Sequence, residues 1–153
     1  ESAGDLHCGG ELRTGWGLHC AGRLRLDGNA FIGLDLHSEG DLRCTKGLQV
    51  GGELSAQAQL RAGQGIAVGG SIHCAMHIEA GWGIRAGGLI QADGAIRAGE
   101  SLWAGEGIRA GDGYGVFAGL DVQVDAWESS ARVSAPEKPA GLMSGWWAGP
   151  AVA

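Results

Sequence analysis

Leucine or isoleucine occupies every sixth position through most of this chain, and that spacing limits the fold more than any other feature. The series runs from Leu6 to Ile108, and of its eighteen members only Ala30 is neither Leu nor Ile. Two residues after each member stands a second series: Cys8, Thr14, Cys20, Leu26, Ile32, Ser38, Cys44, Val50 and onward to Ala110. No residue of this second series is charged, and most are small. All 26 glycines up to residue 113 fall in the other three positions of the hexad. Alternate residues of a strand share a face. Glycine weakens strand interiors and is expected where the backbone turns. Each hexad therefore reads as a three-residue strand, large–outward–small, followed by a three-residue corner. A helix is excluded, because six is not a multiple of 3.6 and each interior glycine would cost about 1 kcal/mol relative to alanine.

One hexad cannot bury its own apolar face, but stacked coils can. The period predicts an all-β fold, a single-stranded parallel β-helix. Three hexads, 18 residues per coil, give a triangular section that accommodates large inward aliphatics and are preferred; two hexads per coil, a flatter ribbon with more coils, are the alternative. Six to seven coils are expected over residues 4–125, about 4.8 Å apart. From about Ala126 the period ends. Residues 126–153 hold all three prolines and three of the six tryptophans. They read as a C-terminal capping tail, with Trp146 and Trp147 folded over the last coil, since native proteins cover solenoid ends.

At 153 residues the chain has room for one domain with a true core, and its 44% hydrophobic content is too high for disorder. With only three prolines and no Gly-X-Y triplet it is not a collagen. No apolar run reaches the roughly 18 residues of a membrane helix. A net charge of −6 argues against nucleic acid or a membrane as partner.

The four cysteines occupy the small inward position. On an 18-residue coil Cys8 and Cys44 lie two coils apart, and Cys20 and Cys74 three. Those gaps, roughly 10 and 14 Å, exceed the ~7 Å limit for a disulfide. Free buried thiols are expected, which points to a reducing cytoplasm.

Three outward rows follow from the same arithmetic. His19, His37, Ser55, His73, Gln91 and Arg109 form one. Its two leading histidines are close enough for a metal, but no further ligand is evident, so neither metal nor cofactor is expected. The pairs His7-Cys8, His19-Cys20 and His73-Cys74 point to opposite faces and cannot chelate together. A second row, His7, Arg25, Arg43, Arg61, Glu79 and Arg97, is a basic stripe on an acidic protein, with Asp5, Asp41 and corner carboxylates as its expected counter-charges. The third row, Arg13, Phe31, Gln49, Ala67, Arg85 and Trp103, carries outward aromatics beside arginine, a composition found at binding hot spots.

No Ser/His/Asp set, phosphate loop or paired-carboxylate pocket is present, and no corner is long enough to build an active site. The outward positions lack the threonine ladders of an ice-binding surface and the acidic ladders of a DNA mimic. The expectation is a non-catalytic module that binds a protein partner through Arg25, Arg43, Arg61, Arg97, Phe31 and Trp103. By analogy with other small acidic proteins that lack a catalytic site, it is read as a bacterial immunity protein, an antitoxin that sterically blocks a toxin.

Two families of hexad solenoid bear comparison. In left-handed β-helix acyltransferases the small residue precedes the large one by two, whereas here it follows, and no catalytic histidine loop interrupts the coils. The segments Gly40-Asp41-Leu42-Arg43-Cys44, Gly52-Glu53-Leu54-Ser55-Ala56 and Gly70-Ser71-Ile72-His73-Cys74 resemble bactofilins, bacterial polymer-forming cytoskeletal proteins. The resemblance covers about residues 4–125. It implies a right-handed triangular solenoid and, as the alternative function, a polymer-forming scaffold. The tail departs from that pattern. A capped end blocks end-to-end stacking, so a monomer or dimer is expected.

Overall fold

The structure, a computed structural model, describes residues 5–120, 131–139 and 141–149. It is a three-sided parallel β-solenoid of about seven turns with 18 residues per turn, and no described residue is helical. Strands β1 (Leu6–Cys8) to β18 (Gly107–Arg109) follow the hexad. Successive strands pass to successive faces, so β1 pairs with the fourth strand, β2 (Leu12–Thr14) with the fifth and β3 (Leu18–Cys20) with the sixth. The resulting sheets have eight, eight and six strands. Register is fixed by the period: Leu6 faces Leu24, His7 faces Arg25 and Cys8 faces Leu26, 18 residues on in each case.

The inward columns form one continuous core. Leu24, Leu42, Leu60 and Ile78 stack on the first face, and Leu36, Leu54, Ile72 and Ile90 on the third; all are buried. Ala30, the one small residue in the large series, is compensated within its own coil. Leu26 and Ile32 fill the neighbouring small positions and are fully enclosed. Interiors require such volume matching to stay close-packed. Ser38, a buried hydroxyl, donates to the carbonyls of Gly22 at 3.4 Å and Gly40 at 3.0 Å.

The corners use glycine for a reason different from turning. Among the described residues positive φ occurs only at Gly113, Gly119, Gly141, Gly145 and Gly149, none of them in the regular coils. What the regular corners need is room. A Cβ on Gly40 would stand 2.7 Å from the carbonyl oxygen of Gly22, one coil away.

Corner polar groups also join the coils. Asp5 Oδ1 accepts the Arg23 N–H at 2.7 Å, Asn29 Oδ1 the Gly47 N–H at 3.0 Å, and Asp35 Oδ1 the Glu53 N–H at 2.8 Å. Asp41 accepts from Gln59, Ser71 from Leu89 and His77 from Ala95 in the same way. Each contact spans 18 residues and satisfies a backbone donor that the interrupted strand ladder leaves open.

The tail rejoins the solenoid rather than lying across it. The period is lost, but β19 (Val116–Phe117), β20 (Arg132–Ser134), β21 (Leu142–Ser144) and β22 (Trp146–Trp147) continue two of the sheets in parallel. Val133 lies beside Leu102, and Trp147 beside Val133. Trp147 is thus aligned with the end of that column but stays exposed, and its indole N–H donates to the Ala135 carbonyl at 2.9 Å. The junction expected at residues 125–126 lies outside the described residues.

Candidate functional site

Parallel pairing in register sets the three outward rows as continuous ridges. On the first face Arg25, Arg43 and Arg61 occupy neighbouring strands, followed by Glu79 and Arg97. Their environments differ. Arg25 reaches Asp27 at 3.3 Å, and Arg61 reaches Glu79 at 3.2 Å. Arg97 lies over the Phe117 ring, 5.5 Å from its centroid. Arg43 is exposed and makes no ion pair among the described residues. Arg25, Arg43, Arg61 and Glu79 line one shallow groove with Thr45 and the glycines at 63 and 81.

The expected counter-charges are only partly those observed. Asp5 and Asp41 spend their carboxylates on backbone N–H groups of the next coil. The acids that meet the basic row are Asp27 and Glu79. Asp27 also accepts from His7 Nε2 at 2.7 Å. That hydrogen bond, with the charges of His7 and Arg25, holds the Asp27 carboxyl below its ordinary value against a smaller opposing effect of burial.

Phe31 and Trp103 point outward but are half-covered, not open to solvent. Arg13 lies 4.7 Å from the Phe31 centroid, and Arg85 lies 4.5 Å from that of Trp103. Each guanidinium caps the ring on the following coil, and Arg132 repeats the arrangement with Trp146 at 6.0 Å. Such stacks are worth about 0.5–1 kcal/mol at exposed sites. They stiffen the second face, and they withdraw Arg13 and Arg85 from the free basic surface. More exposed aromatics stand at corners: Trp16 is 77% and Trp82 52% exposed, each between two glycines. The two Gly-Trp-Gly triplets are the sequence signal for them.

The third face brings together three donors. His19 and His37 are in register with ring centroids 5.0 Å apart. Glu39, in the corner after His37, places Oε1 3.6 Å from His19 Nε2. Sequence reasoning finds the two histidines but misses the glutamate. The signal is a His-x-Glu triplet standing one coil after a histidine.

The thiols of Cys20, Cys44 and Cys74 are buried and that of Cys8 is half-buried, and none of the four is in a disulfide. They donate to nearby corner carbonyls, as Cys44 does to Gly47 at 3.3 Å. No helix among the described residues is long and apolar enough to cross a membrane.

Comparison with protein-family models, with curated proteins and with solved structures found no match.

Proposed function

We propose that this protein is a non-catalytic binding module whose first outward face seats an acidic protein partner, acting as an immunity protein that sterically occludes a toxin. The observation that carries this reading is the Arg25–Arg43–Arg61 ridge on three consecutive strands, with Arg43 free of any intramolecular ion pair among the described residues. Strand spacing sets the backbones of the three arginines at a repeat of about 4.8 Å. A surface fixed before binding loses little entropy on association, and arginine suits bidentate contact with carboxylates. Phe31 and Trp103, stiffened by their arginine caps, form a second contact area on the adjoining face. Four cysteines without a disulfide support a reducing, cytoplasmic setting.

The test is affinity capture from cell extract with the wild type and an Arg43→Glu/Arg61→Glu variant, followed by an activity assay on the captured protein. The reading requires a partner that is inhibited by the wild type, released by salt and lost by the variant. Capture unaffected by the two charge reversals removes this face from the mechanism.

A second reading, a bactofilin-like scaffold that polymerises end to end, draws on the first coil. Within the described residues β1, β2 and β3 have a strand neighbour on one side only, and Leu6, Leu12 and Leu18 are only partly buried. Light scattering over a concentration series separates the two: constant mass supports the binding module, and growth into filaments supports the scaffold.

A further inference from the structure

In-register strands of a parallel sheet bring identical positions within about 4.8 Å, and a corner can add a side chain from two residues further on. His19 on β3 and His37 on β6 (Leu36–Ser38) use the first relationship, and Glu39 uses the second. The Glu39 N–H donates to the Cys20 carbonyl at 2.9 Å. That bond fastens the corner to the preceding coil and sets the carboxylate beside His19. One nitrogen from each imidazole and one carboxylate oxygen all lie within 4.8 Å of one another.

Donors bound to one first-row ion at about 2.0–2.2 Å stand roughly 3–3.5 Å apart. Closing from the observed separations requires only side-chain rotation. His19 and Glu39 have room for it, being 41% and 51% exposed. We propose that His19, His37 and Glu39 form a binding site for a divalent first-row transition cation such as Zn²⁺ or Co²⁺. Two imidazoles among three donors select this class over Mg²⁺ and Ca²⁺, which take oxygen ligands. Three protein ligands leave the remaining coordination position to water.

The surrounding rows explain why the site stops at two coils. On the next strand of the same face the positions of His37 and Glu39 are taken by Ser55 and Gln57. The histidine–acid step across one coil recurs in His7 with Asp27, at 2.7 Å, and in position at His73 with Asp93. In those two cases the strand neighbour of the histidine is Arg25 or Gln91, so no second imidazole is supplied. An arginine there also repels a cation.

The experiment is titration of the untagged full chain with Zn²⁺ by calorimetry and with Co²⁺ by visible absorption. One equivalent is expected to bind, with affinity falling more than about tenfold in His37→Ala and in Glu39→Gln. His73→Ala and Cys8→Ala are expected to bind like the wild type. Saturating Zn²⁺ should raise the melting temperature of the wild type but not of Glu39→Gln, because the metal then stabilises only a folded chain that can hold it. Absence of saturable uptake, affinity unchanged in both ligand variants, or a thiolate charge-transfer band in the Co²⁺ spectrum would each overturn the assignment.

Discussion

His7 donates from Nε2 to Asp27 Oδ2 across 2.7 Å, although the two residues lie one coil and two positions apart. This bond is the largest cause of the lowered Asp27 pKa, which falls from an ordinary 3.8. A carboxylate that is easier to ionise in the folded than in the unfolded chain stabilises the fold fully above its unfolded pKa. That contribution disappears as pH falls from 3.8 through the lower folded value. Wild type and Asp27→Asn should therefore differ in stability at about pH 6, where the Asp27 carboxylate is ionised in both the folded and the unfolded chain. The difference should shrink in acid, as followed by urea unfolding from pH 6 down to about pH 2.

The inward columns set the scale for core damage. Ile78 is wholly enclosed between Leu60 and Ile96 in its column. Ile78→Ala removes three carbons from a stack whose backbone is pinned on both sides and cannot collapse freely. A loss of about 2–5 kcal/mol is expected in denaturant unfolding.

Corner glycines should divide into two classes by substitution. At Gly40 an added methyl meets the Gly22 carbonyl at 2.7 Å, which is backbone and cannot step aside. Gly40→Ala should destabilise by about 1–3 kcal/mol through overpacking. At Gly9 the same methyl has nothing within 4 Å, and Gly9→Ala should leave the unfolding midpoint almost unchanged.

The corner acceptors should report separately from the core. Asn29→Ala strips the Gly47 N–H of its 3.0 Å partner while leaving the strands untouched. A cost of about 1–3 kcal/mol is expected where the donor stays buried, and less where water replaces the side chain. Exchange of the Gly47 amide should accelerate in the variant and that of core strand amides should not, as hydrogen-exchange NMR would resolve.

Thiol chemistry should follow depth. Burial raises the Cys44 and Cys74 pKa values above an ordinary 9.0, which keeps both as unreactive thiols at neutral pH. In a timed reaction with a thiol reagent Cys8 should react first, and Cys44 and Cys74 should need unfolding. Because the folded state holds these protons more tightly, stability should fall as pH rises above 9.0.

Much of the candidate site was legible in advance, for a physical reason. With a six-residue repeat and, in the regular coils, each partner 18 residues away, the row Arg25–Arg43–Arg61–Glu79–Arg97 follows from counting. The same count places Phe31 beside Arg13 and Trp103 beside Arg85. Counting does not say that those guanidinium groups fold over the rings, because an outward side chain chooses its rotamer among neighbours from three coils. Nor does it say that Asp5 and Asp41 turn to backbone donors, leaving Asp27 and Glu79 to meet arginine.

The amino-acid order by itself determined the repeat and the inward and outward faces from Leu6 to Ile108, because a strict period leaves one face of each hexad to bury the aliphatic series. That three hexads rather than two close a coil, which sets the 18-residue register and the separation of the four thiols, was settled by the tertiary structure. Tertiary structure alone decided what happens at the corners and in the tail. The reach of Glu39 to His19 depends on how tightly one corner stacks on the next. The entry of Val133 and Leu142 into the inward columns depends on open strand edges and an exposed core end, which accept any apolar segment that arrives in the right orientation, whatever its spacing in sequence.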